Sequence, residues 1–113
     1  MRMIIAFTTV LFFVIFSPLA EAQVVYSTDS RYDADIKIYV VDSKYQADLA
    51  VYKVDSKYQA DKDGRWYFTD SRYEAEKKVY FVDSKYEADL LIYFVDSKYQ
   101  AEWIDKSKKH LVY

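Results

Sequence analysis

The sequence predicts a mainly β, compact single domain with short helical turns, built from six repeats of about 13 residues in two equivalent halves. Three observations predict this fold class. One heptapeptide recurs six times, apolar segments separate its copies, and the first three copies recur 41 residues later. The domain spans residues 23–113, and residues 1–22 are predicted to be a leader.

The heptapeptide runs Asp-Ser-basic-Tyr-x-Ala-acidic, where x is Asp, Gln or Glu. Its copies start 13, 13, 15, 13 and 13 residues apart, so the period slips once, between the third and fourth copies. The copies begin at Asp29, Asp42, Asp55, Asp70, Asp83 and Asp96.

The segments between the heptapeptides are rich in β-branched and aromatic residues and are only a few residues long, which is typical of strands. Each contains a second tyrosine, so all thirteen tyrosines of the chain occupy repeat positions. The predicted strands are 24–26, 36–39, 49–52, 65–68, 77–80, 90–93 and 111–113.

Each heptapeptide is predicted to form a connecting turn. A short side-chain oxygen can accept hydrogen bonds from backbone N–H groups one turn on, so we assign the first aspartate of each copy as the cap. Residues 23–113 hold no proline and one glycine, Gly64, which disfavours tight glycine-dependent hairpins. The sixth position is always alanine, which predicts close packing there; these alanines are Ala34, Ala47, Ala60, Ala75, Ala88 and Ala101.

Residues 1–22 have the pattern of a secretory signal peptide. Arg2 precedes an apolar run, Pro18 ends it, and Ala20-Glu21-Ala22 is a small-x-small cleavage site before Gln23. The alternative is an uncleaved membrane anchor, but the run is shorter than the roughly 20 residues of a spanning helix. Cleavage between Ala22 and Gln23 would deliver the domain to the periplasm or the extracellular space, with no integral membrane segment.

Composition excludes several kinds of site. Without cysteine the chain has neither disulfides nor thiolate ligands, and one glycine cannot make a phosphate-binding loop. The net charge of -2 lacks the basic footprint of a nucleic-acid-binding protein, so we expect no nucleic-acid partner.

The recurring Val-Asp-Ser-Lys-Tyr-x-Ala-Asp pattern, followed by an aliphatic-Tyr pair, resembles the septoil-knot family, a domain of unknown function. The resemblance covers about residues 24–113 and includes the interruption at 61–66. It implies a mostly β chain with a deep seven-crossing knot. Composition and periodicity by themselves indicate only short strands joined by turns.

Candidate catalytic groups are weak. The heptapeptide serines are six-fold repeated, whereas a catalytic serine needs one neighbouring base, and the single histidine, His110, lies in the tail. Carboxylate pairs such as Asp42 with Asp48, or Glu74 with Glu76, could serve a glycosidase but are more typical of caps and solvated ion pairs. We therefore predict a protein that is not an enzyme and that needs no cofactor.

Three features could bind ligands. Asp61-Lys-Asp63-Gly64 faintly resembles a calcium loop, although a longer turn between the halves explains it as well. Trp66 and Trp103 break the repeat, either as a ligand surface or as fillers where the period slips. The basic tail residues Lys106, Lys108, Lys109 and His110 could contact anionic lipid or polysaccharide, or form a solvated connector.

We expect an exported, highly stable, monomeric structural or interaction module whose partner is an envelope protein or a glycan. One alternative is a glycan-binding module that uses Trp66, Trp103 or the repeat tyrosines. Another is a small hydrolase that uses the repeated carboxylates.

Overall fold

In the computed structural model, which describes residues 23–113, seven strands form one sheet. The predicted signal peptide and Ala22 lie outside the described residues. The strands are β1 (Gln23–Ser27), β2 (Ile36–Val40), β3 (Leu49–Val54), β4 (Arg65–Phe68), β5 (Lys77–Phe81), β6 (Leu90–Phe94) and β7 (Glu102–Trp103).

The first six strands close into a parallel barrel. Their order around the barrel is β4-β1-β5-β2-β6-β3, and β3 pairs with β4 to complete the circle. All six of these ladders are parallel, and β7 adds one short antiparallel ladder to β3. The predicted fold class, a compact single domain that is mainly β with short helical turns, is confirmed.

Strands from the two halves alternate around the barrel. Strand β5 lies between β1 and β2, β6 lies between β2 and β3, and β4 lies between β3 and β1. The second pass of the chain therefore runs between the strands of the first pass. Each barrel strand forms its parallel ladders with strands of the other half, so the two halves hold each other.

Short connections suffice to return the chain to the start of the barrel. Residues 28–35, for example, join β1 to β2, and a segment of that length can span at most about 28 Å. It must return along a strand of roughly 17 Å and cross two strand spacings, about 10 Å together. The 3-10 turn Lys44–Gln46, between β2 and β3, packs against β6, the strand that it crosses.

The seventh heptapeptide position extends the ladders. In three copies its amide donates to a carbonyl of the neighbouring strand at 2.7 Å, and its carboxylate accepts the amide of that same strand residue at 2.8 or 2.9 Å. The carboxylate thus takes the place of a backbone carbonyl where each strand begins. These pairs are Asp35 with Lys78, Asp48 with Leu91, and Asp89 with Lys37.

One side chain from each of the six barrel strands lies at the centre of the barrel. These residues are at most 1% exposed and occupy equivalent repeat positions. They are Val25, Ile38, Val51, Trp66, Val79 and Ile92. The alanines of the heptapeptides are less uniform than predicted, because only Ala47 and Ala60 are buried and the other four are half-buried.

The two halves correspond element by element. Strand β2 (Ile36–Val40) recurs 41 residues later as β5 (Lys77–Phe81), and the 3-10 turn Lys44–Gln46 recurs as Lys85–Glu87. The extra residues between the third and fourth repeats lie before β4, which is adjacent to β3 rather than two places away.

The predicted strand at 111–113 is wrong. A 3-10 helix, Lys106–Leu111, occupies the tail instead, and the buried Val112 anchors its end in the core. Asp105 caps this helix by accepting the Ser107 amide at 3.1 Å. Within residues 23–113, no helix has both the length and the apolar character needed to cross a bilayer.

Candidate functional site

The heptapeptides form the repeated surface of the molecule. In four of them, 3-10 turns follow a serine N-cap, and the serine hydroxyl accepts the amide of the tyrosine two residues on at 3.2 Å. Ser30 accepts the Tyr32 amide in the same way at 3.3 Å.

The prediction of aspartate caps is therefore corrected, because in five of the six heptapeptides the serine after the aspartate does the capping. The caps are Ser43, Ser56, Ser84 and Ser97 in the four 3-10 turns. The predicted residues precede the turns: Asp29, Asp42, Asp55, Asp70, Asp83 and Asp96. In the four 3-10 turns the hydroxyl of the serine already accepts the tyrosine amide, so the aspartate before it stays outside the cap.

This cap places the following tyrosine on the outside of each turn. All six heptapeptide tyrosines are between 82% and 95% exposed. We name them the tyrosine collar: Tyr32, Tyr45, Tyr58, Tyr73, Tyr86 and Tyr99. All six rings are therefore accessible to another molecule.

Ion pairs between the halves hold the collar turns beside one another. The basic residue before a collar tyrosine contacts a carboxylate of another repeat in four turns. These pairs are Arg31 with Glu87 at 3.0 Å, Lys44 with Glu102 at 2.7 Å, Lys57 with Glu74 at 3.3 Å, and Arg72 with Asp33. In three turns the lysine also lies over its own tyrosine ring, 5.4–5.6 Å from the centroid: Lys57, Lys85 and Lys98.

Neighbouring groups also lower the pKa of two carboxylates in these ion pairs. The hydroxyl of Thr69 donates to Glu74 at 2.6 Å, and with Lys57 it lowers the pKa of Glu74. Lys44 lowers the pKa of Glu102 through a hydrogen bond and its charge. Both carboxylates therefore stay ionised to a lower pH than ordinary glutamates do, which keeps the turn-to-turn ion pairs formed there.

Two clefts lie between turns of opposite halves. The first, of about 500 Å³, lies beside β3 and is open to solvent. Six of its lining residues occupy repeat positions. The first half supplies Tyr52, Asp55 and Gln59, and the second half supplies Asp96, Ser97 and Lys98. Tyr58 of the tyrosine collar also lines this cleft.

The second cleft, of about 660 Å³, lies beside β2. Residues at the same six repeat positions line it, one repeat earlier. They are Tyr39, Asp42 and Gln46 from one half, and Asp83, Ser84 and Lys85 from the other. Its collar tyrosine, Tyr86, comes from the half that supplies Lys85, whereas Tyr58 comes from the half that supplies Gln59. The predicted cap aspartates are thus brought together in pairs, Asp55 with Asp96 and Asp42 with Asp83, as cleft residues.

Phenylalanines gather at the end of the barrel where the parallel strands finish. Phe68, Phe81 and Phe94 end β4, β5 and β6, and the ring centroid of Phe68 lies 6.3 Å from that of Phe81 and 6.4 Å from that of Phe94. The ammonium of Lys53 sits 4.6 Å from the Phe94 centroid and 5.4 Å from the Phe68 centroid. These rings pack on the core and close the barrel at this end.

The prediction of a ligand surface at Trp66 and Trp103 is wrong. Trp66 is 1% exposed and takes the central core position of β4, where the equivalent residue of β1 is Val25. Trp103 is 9% exposed and donates its indole N–H to Asp63 at 3.1 Å. Burial leaves neither ring face free to stack on a ligand.

The acidic loop at 61–64 is a structural turn. Asp61 pairs with Arg65 at 3.3 Å, and Asp63 pairs with Lys109 at 2.9 Å and accepts the Trp103 indole N–H. Gly64 has a φ of +88°, a left-handed conformation that favours glycine, and a Cβ there would lie 2.8 Å from the Ala50 carbonyl oxygen. Asp61 thus holds the loop to the start of β4, and Asp63 holds it to the tail.

The basic tail closes the body of the protein. Lys108 lies 3.6 Å from Asp48, and Nδ1 of His110 lies 3.0 Å from the Ser107 carbonyl oxygen. The Tyr113 hydroxyl accepts hydrogen bonds from the Gly64 amide at 3.0 Å and the Trp66 indole at 3.2 Å. Two of the three tail lysines, Lys108 and Lys109, form ion pairs with Asp48 and Asp63, so these lysines hold the tail against the barrel.

Sequence reasoning named the repeat tyrosines as one alternative for glycan binding, but it did not separate the six exposed heptapeptide tyrosines from the strand tyrosines, and it missed the two clefts. The exposure of the collar could have been predicted from the sequence, because an aromatic ring in the middle of a one-turn helix is too far from the core to reach it. The clefts had none, because they depend on which repeats become neighbours across the halves.

Comparison with known proteins rests on one match. The family model of the 7(1) septoil knot domain matches residues 22–104, which is most of the chain. Searches of curated proteins and of solved structures returned no match. The family description names a topology and no activity. With its six interleaved parallel strands and this family match, the chain belongs to the septoil knot domain family.

Proposed function

We propose that this protein is an exported, monomeric interaction module without catalytic activity, and that the tyrosine collar is its binding surface. The observation that carries the proposal is the 82–95% exposure of all six collar tyrosines. Tyrosine offers a large amphipathic contact area with little side-chain entropy to lose, and it is enriched where proteins bind partners.

Six equal contacts favour binding by number rather than by one deep pocket. When several weak contacts lie on one rigid body, each contact after the first is intramolecular, and the overall affinity exceeds that of any single contact. The ion pairs between halves, such as Arg31 with Glu87, keep the collar turns in fixed relative positions. A partner that meets several collar tyrosines therefore finds them already arranged.

The scaffold suits a site outside the cytoplasm. Strand β1 begins at Gln23, so cleavage after Ala22 would leave the barrel complete. The interleaved strands stabilise a chain that contains no cysteine, and they replace the disulfides that many small secreted domains use. Closing the sheet into a barrel also removes long open edges, which favours a monomer.

The proposal is tested by capture from the envelope. The full chain is expressed with its leader, purified, and its mass is measured; loss of residues 1–22 is expected. The immobilised protein is then exposed to solubilised envelope and culture supernatant, and retained material is identified. We expect retention that is lost when all six collar tyrosines are changed to serine.

The matched control is Ile104→Ser, which removes an apolar side chain that is 41% exposed but lies outside the collar. Retention by the control and loss by the collar variant support the proposal. Equal retention by both variants would overturn the collar as the binding surface, and an unprocessed mass would overturn export by cleavage.

A further inference from the structure

The two clefts described above are one site that occurs twice. Six lining residues of the cleft beside β2 stand 13 residues before their counterparts in the cleft beside β3, whereas the two collar tyrosines, Tyr86 and Tyr58, come from opposite halves. Tyr39 corresponds to Tyr52, and Asp42 corresponds to Asp55. Since the backbone around them repeats as well, a ligand group that fits one cleft also fits the other.

We propose that these two clefts are equivalent subsites for an extended polysaccharide with a disaccharide repeat; this inference rests on the proposed interaction function and names its partner. The clefts share a strand tyrosine, two aspartates, a glutamine, a serine and a lysine at equivalent positions, and each cleft also has one collar tyrosine. Aromatic faces stack on the C–H faces of sugar rings, while carboxylates, amides and ammonium groups exchange hydrogen bonds with hydroxyls.

The chemistry of the clefts favours a sugar over a protein partner. Protein interfaces are anchored by buried aromatic side chains in desolvated pockets. These clefts are open and lined by charged and polar groups of both signs, as Asp55, Asp96 and Lys98 show. Such a lining suits a ligand with many hydroxyl groups and little net charge.

Their spacing favours a repeating polymer. Strands β2 and β3 flank β6, so the two clefts are displaced by two strand spacings, or about 10 Å. This distance is close to the length of one disaccharide in an extended β-1,4-linked chain. A single polymer could therefore place equivalent sugars in both clefts.

The third position of the same kind is filled by the protein itself. There Arg72 pairs with Asp33, and its guanidinium lies 6.0 Å from the ring centroid of Tyr26. Asp33 stands where the clefts have Gln46 and Gln59. We therefore infer two subsites rather than three.

The test uses protein purified after expression of the full chain. Co-sedimentation is measured with insoluble cellulose, chitin and peptidoglycan sacculi, and affinity is measured for soluble chito- and cello-oligosaccharides of increasing length. We expect at least one polysaccharide to bind. An oligosaccharide long enough to reach both clefts should bind at least about 100-fold more tightly than a disaccharide.

Variants identify the clefts. Asp55→Asn with Gln59→Ala disables the first cleft, and Asp42→Asn with Gln46→Ala disables the second. Either pair should remove the advantage of long oligosaccharides, and all four changes should abolish binding. The matched control is Asp70→Asn with Gln100→Ala, which changes the same repeat positions outside both clefts and should bind as the unaltered protein does.

Failure here and failure of the proposed function are distinguishable. Binding that does not depend on ligand length, or that survives the four cleft changes, would overturn the two-subsite inference. Collar-dependent capture of an envelope protein with no polysaccharide bound would overturn the inference while supporting the interaction module. Release of new reducing ends from a bound polysaccharide would overturn the non-catalytic proposal.

Discussion

Asp48 and Leu91 exchange two hydrogen bonds across the junction between the halves. The Asp48 amide donates to the Leu91 carbonyl at 2.7 Å, and the Leu91 amide donates back to the Asp48 carboxylate at 2.9 Å. The acidic end of the heptapeptide therefore continues a β-ladder with a side chain. Because Asp35 and Asp89 form the same pair with Lys78 and Lys37, this arrangement accounts for an acidic residue at the seventh position.

Replacing Asp48 with alanine should lower the free energy of unfolding by about 1.5–3 kcal/mol, since its carboxylate is only 14% exposed and accepts a backbone amide. Asp48→Asn keeps an oxygen acceptor and loses only the partly exposed pair with Lys108, so it should cost less than about 1 kcal/mol. Urea unfolding of both variants measures the difference. Equal losses would show that charge, rather than the ladder, matters at this position.

The turn caps can be separated from the aspartates that precede them. Ser84→Ala removes the acceptor of the Tyr86 amide, at 3.2 Å, and should cost about 0.5–2 kcal/mol. Asp83→Ala removes an exposed carboxylate that does not cap the turn and should change stability by less than about 0.5 kcal/mol. Thermal unfolding of the two variants compares them, and a larger loss for Asp83→Ala would restore the aspartate as the cap.

Tyr113 stabilises the core through its hydrogen bond with the buried Trp66. In Tyr113→Phe, the Trp66 indole N–H and the Gly64 amide lose the hydroxyl that accepts both hydrogen bonds. Because Trp66 is buried, we expect a loss of about 1–3 kcal/mol and a change in tryptophan fluorescence. Tyr99→Phe, which removes an exposed hydroxyl, is the control and should be neutral. An unchanged Tyr113→Phe variant would mean that the tail does not brace the core.

Acid should weaken the protein through carboxylates that are paired in the folded state. Thr69 and Lys57 lower the pKa of Glu74 below its ordinary value of 4.5. The folded state therefore holds this proton less tightly than the unfolded chain does. The stabilisation is present above the ordinary pKa and is lost as the pH falls through the lower folded pKa.

Carboxyl titration by NMR should place the Glu74 midpoint below 4.5 in the native protein. In Thr69→Val the hydroxyl donor is lost, so the midpoint should move up toward that value and the acid-induced loss of stability should be smaller. A native Glu74 midpoint at or above its ordinary value would contradict the Thr69 hydrogen bond.

Much of the fold was predictable because it is written in local patterns. Segments such as Leu49–Tyr52 combine β-branched and aromatic residues, and the heptapeptides lack the glycine of hairpins, so strands and one-turn helices follow. The cap residue was misassigned by one position, because Asp and Ser are both good caps and only the geometry of a three-residue turn selects Ser84 over Asp83.

The order of strands and the candidate site were not predictable from those patterns. Placing β5 between β1 and β2 depends on pairings more than 40 residues apart, and local periodicity does not encode them. Trp66 looked like an interruption because it differs from its neighbours in sequence, yet it replaces Val25 at an equivalent core position. The clefts that pair Asp55 with Asp96 exist only after the halves interleave.

The interleaving predicts that neither half folds alone. Strands β1, β2 and β3 form parallel ladders with β4, β5 and β6, and none of the described ladders joins two of the first three strands. A fragment of residues 23–63 should therefore show no strand signal in far-UV circular dichroism and only narrow amide dispersion by NMR. Residues 23–113 should show a strand signal and wide amide dispersion. Dispersed amide resonances from the 23–63 fragment would mean that its three strands can pair with one another. The sheet could then form without the second half, and the two halves would alternate only at a later step of folding.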